Sequence, residues 1–320
     1  MDLKIFSGET SALANDIARE LGVGLSRIEV KRFSNGDERV KLPDGVRGAN
    51  VFLIQSIGGD PYRMLRLMHM ADAAWHASAR KVIAVTPEFG WARQESMHQN
   101  HSSLGASLAV RLMHAAGVNH LVAMDLHKET IELAVPQGMP FDKLYASPVF
   151  GPELVKIKAK EPGLIMLVPD QGAMPRATYY IEKYGLMPMI VVHQQRDPVT
   201  GKKRIVQIVG QLEGDEPIIS LDDMIDTGGT IVGVDIELRR RGWHGKHFLF
   251  ATHGVLSGDG ISTLNESEIA EIHITDTVVH REQARLAGLP KFKIHTVASI
   301  FADCIRKIHA DEGSVSEQFA

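Results

Sequence analysis

The chain has 320 residues, 44% of them hydrophobic and 23% charged, with a formal net charge of -4. That length exceeds the needs of one small core and suggests about two domains. The slightly acidic balance argues against non-specific nucleic-acid binding, so any site for phosphates must gather its positive charge locally. A single cysteine, Cys304, excludes an intramolecular disulfide and fits a reducing cytoplasm. The start "MDLKIFSGET" lacks the basic-then-apolar pattern of a signal peptide, and no uninterrupted apolar run is long enough to span a bilayer.

In chain order, "VKRFSNGDERVKL" (30–42) alternates like a hairpin with Asn35-Gly36 at its tip. "NVFLIQS" (50–56) predicts a strand, 62–79 a helix with an apolar stripe of Leu65, Leu67, Met68, Met70 and Ala71, and "KVIAVTP" (81–87) the next strand. A helix is expected around 104–116 and a strand over 120–127, ending in polar residues. The second half repeats the rhythm: strand then loop over 163–172, helix over 173–184 stopped by Gly185, and strand over 188–193. Strand then loop follows over 216–226, helix over 230–241 stopped by Gly242, and strand over 247–254. Residues 194–204, "QQRDPVTGKKR", break the pattern as a polar tip and suggest a long hairpin or flap. Alternating βαβ units imply an α/β fold with parallel sheets covered on both faces. The simplest arrangement is two tandem domains dividing near 148–152, as 1–149 and 150–320, with a last helix that can pack back on the first.

The most informative stretch is 221–230, "LDDMIDTGGT". It lies where a buried strand gives way to a helix, the end of a parallel sheet at which ligands bind. Thr227, Gly228, Gly229 and Thr230 can offer backbone N–H groups and two hydroxyls to an anion at the helix N-terminus, and the glycines allow close approach. Asp222 and Asp223 would repel a bare phosphate. They make sense if the ligand also carries a vicinal diol, and a sugar phosphate satisfies both halves.

This stretch resembles the binding signature for 5-phosphoribosyl 1-pyrophosphate, shared by type I phosphoribosyltransferases and ribose-phosphate pyrophosphokinases. The rest of the chain resembles the pyrophosphokinases, in order and over nearly its whole length: "LKIFSG", "RFSNGDERVKL", "GVRGANVFLIQS", "FGWARQES", "AGVNHLVAMDLHKETIE", "FDKLYASPVF", "VPDQGAMPRA" and "ATHGVLSG". The resemblance implies two tandem phosphoribosyltransferase-type domains, each a largely parallel sheet flanked by helices, assembled as dimers and hexamers. It implies transfer of the β,γ-pyrophosphoryl group of ATP to the C1 hydroxyl of ribose 5-phosphate, with Mg2+ present.

Carried over by position, the resemblance implies that Asp222 and Asp223 hold the ribose 2- and 3-hydroxyls and that Asp226, Thr227, Gly228, Gly229 and Thr230 hold the 5-phosphate. Arg93 and Gln94 would contact ATP. Phe33, Asn35 and Asp37 would reach the adenine of a neighbouring subunit's ATP. His127 and Asp170 would act around Mg2+. Plainer readings stand beside these: a capping or core role for His127, a helix N-cap for Asp170, a surface charge for Arg93, and a hairpin staple for Phe33.

The chain also departs from the family. Its flap carries Lys-x-Arg, whereas "VVHQQRDP" puts Gln194 at the Lys position and keeps Arg196. A neutral amide cannot replace a full charge in a water-poor site. The "KKR" at 202–204 is either a solvated tip or a substitute, with Lys202 the leading candidate. Trp91, Glu95, Met97, Gly105 and Ser107 also differ from the family's habit. An active pyrophosphokinase is the expected function. A catalytically weak regulatory homologue that co-assembles with an active partner, and a phosphoribosyltransferase, are the alternatives.

Overall fold

The computed structural model describes residues 2–43, 45–97, 100–185, 189–196, 203–212, 214–279 and 286–319, without the side chains of Arg196, Lys203 and Arg204. Two compact units emerge, Met1–Ala146 with Thr277–Val279 and Thr296–Ala320, and Ser147–Asp276 with His280–His295.

The first unit runs β1 (Leu3–Ser7), α1 (Ala12–Leu21), β2 (Leu25–Arg27), β3 (Glu29–Arg32), β4 (Glu38–Lys41), β5 (Asn50–Ile54), α2 (Pro61–His76), β6 (Lys81–Thr86), α3 (Gly105–Ala115), β7 (His120–Met124) and β8 (Phe141–Leu144). Its sheet has the order β2-β1-β5-β6-β7-β8, all parallel. Every residue of β5 is buried, as an apolar strand covered on both faces must be. The expected hairpin forms a separate ribbon of β3 and β4, paired Glu29 to Lys41 through Arg32 to Glu38. Helix α2 starts where Asp60 accepts a hydrogen bond from Tyr62 N at 3.0 Å and Pro61 takes the first helical position.

The second unit runs α4 (Ser147–Lys160), β9 (Ile165–Val168), α5 (Met174–Tyr184), β10 (Met189–Arg196), β11 (Lys203–Val209), β12 (Ile218–Ile225), α6 (Gly229–Arg240), β13 (His247–Gly254), α7 (Gly260–Glu266), β14 (Glu271–Thr275) and β15 (Phe292–His295). Helix α8 (Ala298–Ala310) returns to the first unit, where it packs on α1. The second sheet has the order β11-β10-β9-β12-β13-β14-β15, parallel except for the antiparallel pair β10–β11. All eight residues of β13 are buried, and the core around it includes Leu249, Ala251, Val234, Leu238 and Ile274. Helix α5 stops at Gly185, at φ 65°, and α6 stops two residues before Gly242, at φ 97°.

The tip expected over 194–204 is a continuation of the β10–β11 hairpin, paired out to Arg196 and Lys203. Residues 197–202, Lys202 among them, lie outside the described residues. The strand expected to reach 127 ends at Met124, because Asp125 turns the chain at φ 39°.

Candidate active site

The sheet topology of the second unit positions the candidate residues. Strand β9 pairs with β12 only over Ile218–Ser220, whereas β12 continues beside β13, with Asp222 opposite Ala251 and Ile225 opposite Gly254. Beyond Ser220 the β9 side of β12 is unpaired, and the turn and helix from Asp170 to Arg176 lie nearby. Asp223 is buried and Asp222 half-buried there. Asp223 N donates to Asp222 Oδ1 at 2.9 Å.

The Arg176 guanidinium lies beside this acidic pair. Arg176 Nη1 lies 3.7 Å from Asp222 Oδ1 and 3.6 Å from Asp223 Oδ1. Burial, the adjacent Asp223 charge and, more weakly, Asp170 push the Asp222 carboxyl well above its ordinary range, while Arg176 pulls it down. Sequence reasoning passed over Arg176. Its only local signal was a single basic residue closing the otherwise uncharged run after Asp170.

The loop that follows leads into the N-terminus of α6. Gly228 sits at φ 74° as the N-cap of α6, with no side chain of its own to cap the helix. The first-turn N–H groups of a helix have no acceptor within it, and the helix dipole adds partial positive charge. Thr227, Gly229 and Thr230 are exposed. Gly228 is required twice over: a Cβ there would also meet Leu264 Cγ at 2.8 Å.

The other expected site residues of the second unit lie on neighbouring strand ends. Asp170 follows β9 and accepts from Gly172 N at 3.0 Å, so the N-cap reading of this residue describes a bond it makes. Gln194 Nε2 donates to Pro169 O at 2.8 Å, and Gln171 Nε2 meets His193 Nδ1 at 3.3 Å. These two bonds tie β10 to the loop that carries Asp170. The pairing of β10 with β11 slips by one residue between His193 and Gln194, so a bulge marks the start of the flap.

In the first unit, Arg93 and Gln94 follow β6 and are exposed, and His127 follows the adjacent β7. Gln94 N donates to Trp91 O at 2.7 Å, and Ala106 N donates to Gln94 O at 3.3 Å. Trp91 takes a left-handed φ of 60°, and a Cβ on Gly105 would strike Gln94 Oε1 at 2.4 Å. The glycine at 105 thus makes room for the Gln94 side chain at the start of α3. Asp125 Oδ2 accepts from Ala146 N at 2.9 Å and anchors the turn before His127. In the ribbon, Phe33 is exposed, with Lys31 Nζ 5.4 Å from its ring centroid. Asn35 Nδ2 donates to Asp37 Oδ2 at 2.6 Å.

Comparison with known proteins gives a consistent result. Residues 3–117 match the family model for the N-terminal domain of ribose phosphate pyrophosphokinase, and 174–320 match the model for the phosphoribosyl synthetase-associated domain. A ribose-phosphate pyrophosphokinase of Caldanaerobacter subterraneus subsp. tengcongensis is 37% identical over 99% of this chain and 98% of its own length. Ribose-phosphate pyrophosphokinase A of Dictyostelium discoideum is 33% identical over 99% and 98%. The crystal structure of phosphoribosylpyrophosphate synthetase from Mycobacterium smegmatis superposes with a TM-score of 0.87 at 29% identity, covering 98% of this chain and 100% of that one.

Proposed function

The chain belongs to the ribose-phosphate pyrophosphokinase family, and we infer that it works as such an enzyme through the loop at 222–230 of its second unit. It transfers the pyrophosphoryl group of ATP to the C1 hydroxyl of ribose 5-phosphate, giving phosphoribosyl pyrophosphate and AMP. The observation that carries the site assignment is the juxtaposition of two carboxylates with a helix N-terminus that begins at a glycine, a few residues apart after one strand.

Asp222 and Asp223 accept hydrogen bonds from the ribose 2- and 3-hydroxyls, and Arg176 offsets their mutual repulsion. Thr227 to Thr230 hold the 5-phosphate through backbone N–H groups and the two hydroxyls, with Asp226 at the edge of the loop. The sugar is then fixed at both ends, which leaves the C1 oxygen to attack the β-phosphorus. A new oxygen–phosphorus bond forms there as the bond to the α-phosphoryl oxygen breaks and AMP leaves. Such a reaction depends on positioning and charge neutralisation more than on covalent help.

Arg93 and Gln94 contact ATP. Phe33, Asn35 and Asp37 reach the adenine of ATP on a neighbouring subunit, so the enzyme acts as a homo-oligomer built on dimers. On the flap, Arg196 supplies the remaining cation, Gln194 occupies the position of the family's Lys, and Lys202 is the candidate substitute. The single cysteine fits a cytoplasmic enzyme. Among the described residues no helix is long and apolar enough to cross a membrane.

The donors also fit Mg2+. Asp170 offers carboxylate oxygen, and it contributes to the negative charge that lifts the Asp222 carboxyl. Among the described residues no group of three His, Cys, Asp or Glu side chains gathers to hold a metal, which suits an ion that keeps waters and takes phosphate oxygens as ligands. In the second unit Asp170 would be its donor; His127, of the first unit, is the less typical donor type. When bound, Mg2+ neutralises charge on the transferring phosphates.

Titration calorimetry of ribose 5-phosphate into wild type and Asp223→Ala tests the assignment. The variant is expected to bind at least about tenfold more weakly, the cost of one charged hydrogen-bond partner. Equal affinities would refute the role of the acidic pair.

A further inference from the structure

We propose that Arg66 and Glu38 form a clamp that aims the tip of the β3–β4 ribbon, and that both are positioning residues for ATP. The proposal rests on the reading of Phe33, Asn35 and Asp37 as adenine contacts on a neighbouring subunit. The ribbon is a two-stranded sheet of its own, and such a hairpin is marginally stable in water unless it packs against another element. It has little apolar surface to pack with. All four residues of β3 are exposed, and in β4 only the alternate residues Glu38 and Val40 are partly covered.

The group that meets Glu38 is charged. Arg66 of α2 donates from Nε to Glu38 Oε2 at 3.2 Å, and from Nη2 to Oε1 at 3.0 Å and Oε2 at 2.8 Å. Its Nη1 donates to Gly8 O, just past the end of β1, at 3.0 Å. One guanidinium thus joins helix, sheet and ribbon. The nearby Glu9 carboxylate is taken up by Gln55 Nε2 at 2.9 Å and Arg63 Nη2 at 3.1 Å. A solvated ion pair contributes little. This one is bidentate, and its Arg66 and Glu38 side chains are only 21% and 12% exposed, so its bonds are charge-assisted and shielded from water.

The clamp also acts at a telling place. Arg32 and Glu38 are the last paired residues before the tip, and Arg32 Cζ lies 5.4 Å from the ring centroid of Tyr62 on α2. Asp37 adjoins Glu38 in the chain, and Phe33 N donates to Asp37 O at 2.8 Å. Both contacts with α2 therefore grip the base of the turn that carries the adenine-reading residues. Without the clamp the tip samples other directions, and ATP must select the competent one at a cost in affinity.

Steady-state kinetics with Mg-ATP and ribose 5-phosphate test the proposal. Glu38→Ala and Arg66→Ala are each expected to raise KM for ATP about tenfold, the loss of one charge-assisted hydrogen bond, with KM for ribose 5-phosphate unmoved. Glu38→Gln keeps an acceptor and is expected to lose less. The double variant is expected to be no worse than either single one, since both remove the same interaction. An unchanged KM for ATP in both single variants overturns the clamp, as does an equal rise for both substrates or a loss that multiplies in the double variant. Phe33→Ala is measured alongside. If it leaves KM for ATP unchanged, the adenine reading of the ribbon fails and the proposal falls with it. If it raises that KM while Glu38→Ala and Arg66→Ala do not, the adenine reading stands and only the clamp falls.

Discussion

Arg176 Nη1 lies 3.6 Å from Asp223 Oδ1, pairing a mostly buried guanidinium with a carboxylate whose side chain is only 6% exposed. The acidic pair is thus no ordinary solvated loop. Asp223 is buried and Asp222 half-buried, and the Arg176 guanidinium lies against both carboxylates.

Arg176→Gln is expected to lower the unfolding free energy by about 1–3 kcal/mol, because it strands a buried carboxylate. Adding Asp223→Asn should recover much of that loss, since the two side chains share one interaction. Urea unfolding of the two single variants and the double variant measures the coupling. Additive losses would show that the ion pair does not act as a unit.

Gly228→Ala combines a left-handed backbone with a Cβ that would meet Leu264 Cγ at 2.8 Å. It is expected to cost roughly 1–3 kcal/mol of stability and to weaken ribose 5-phosphate binding in the same protein. Leu264→Ala in that background relieves the clash and leaves the φ problem, so it should recover only part of the loss. Thermal unfolding with and without the sugar phosphate reads both effects.

Away from the site, His273 is stacked on Phe250, with ring centroids 4.1 Å apart, and on His295, 5.2 Å away. Its Nδ1 meets His295 Nε2 at 2.9 Å, its Nε2 meets Glu271 Oε2 at 3.1 Å, and Glu153 and Lys156 on α4 also act on this pair. Burial, and then the His295 charge, push His273 down to about 4 from 6.5. The unfolded chain therefore binds a proton that the folded chain refuses between these values. This stability is fully present above about pH 6.5 and is lost as pH falls toward 4, on the order of 3 kcal/mol in all. His273→Gln should flatten that slope in denaturant titrations across pH 4–7. An unchanged slope would place the acid sensitivity elsewhere.

Gln194 is committed to Pro169 O and carries no charge. Gln194→Lys is expected to raise kcat by roughly tenfold or more, by restoring a cation where negative charge develops. No gain, together with a large loss in Lys202→Ala, would assign that charge to the 202–204 cluster.

What could be read in the sequence follows the range of the interactions involved. The strand-to-helix turn at 221–230 was legible because its signals are local: an apolar strand, then a Gly-Gly turn within ten residues. The hairpin at 30–42 was legible through Asn35-Gly36 for the same reason. Arg176 was not, since its role appears only when α5 meets the unpaired edge of β12 some fifty residues later. The stretch "SPVFGPE", near which the two domains are expected to divide, forms the first turns of α4, with Pro152 inside the helix. The His273–His295 stack joins two strands whose pairing no local pattern announces.

The most direct test of the central claim is AMP release by the purified protein from Mg-ATP, with and without ribose 5-phosphate. AMP that appears only with the sugar is expected, and it would show that Arg196 and the rest of the flap suffice with Gln194 in place. No AMP from a protein that still binds ribose 5-phosphate would contradict the pyrophosphokinase assignment and leave a sugar-phosphate-binding regulatory chain.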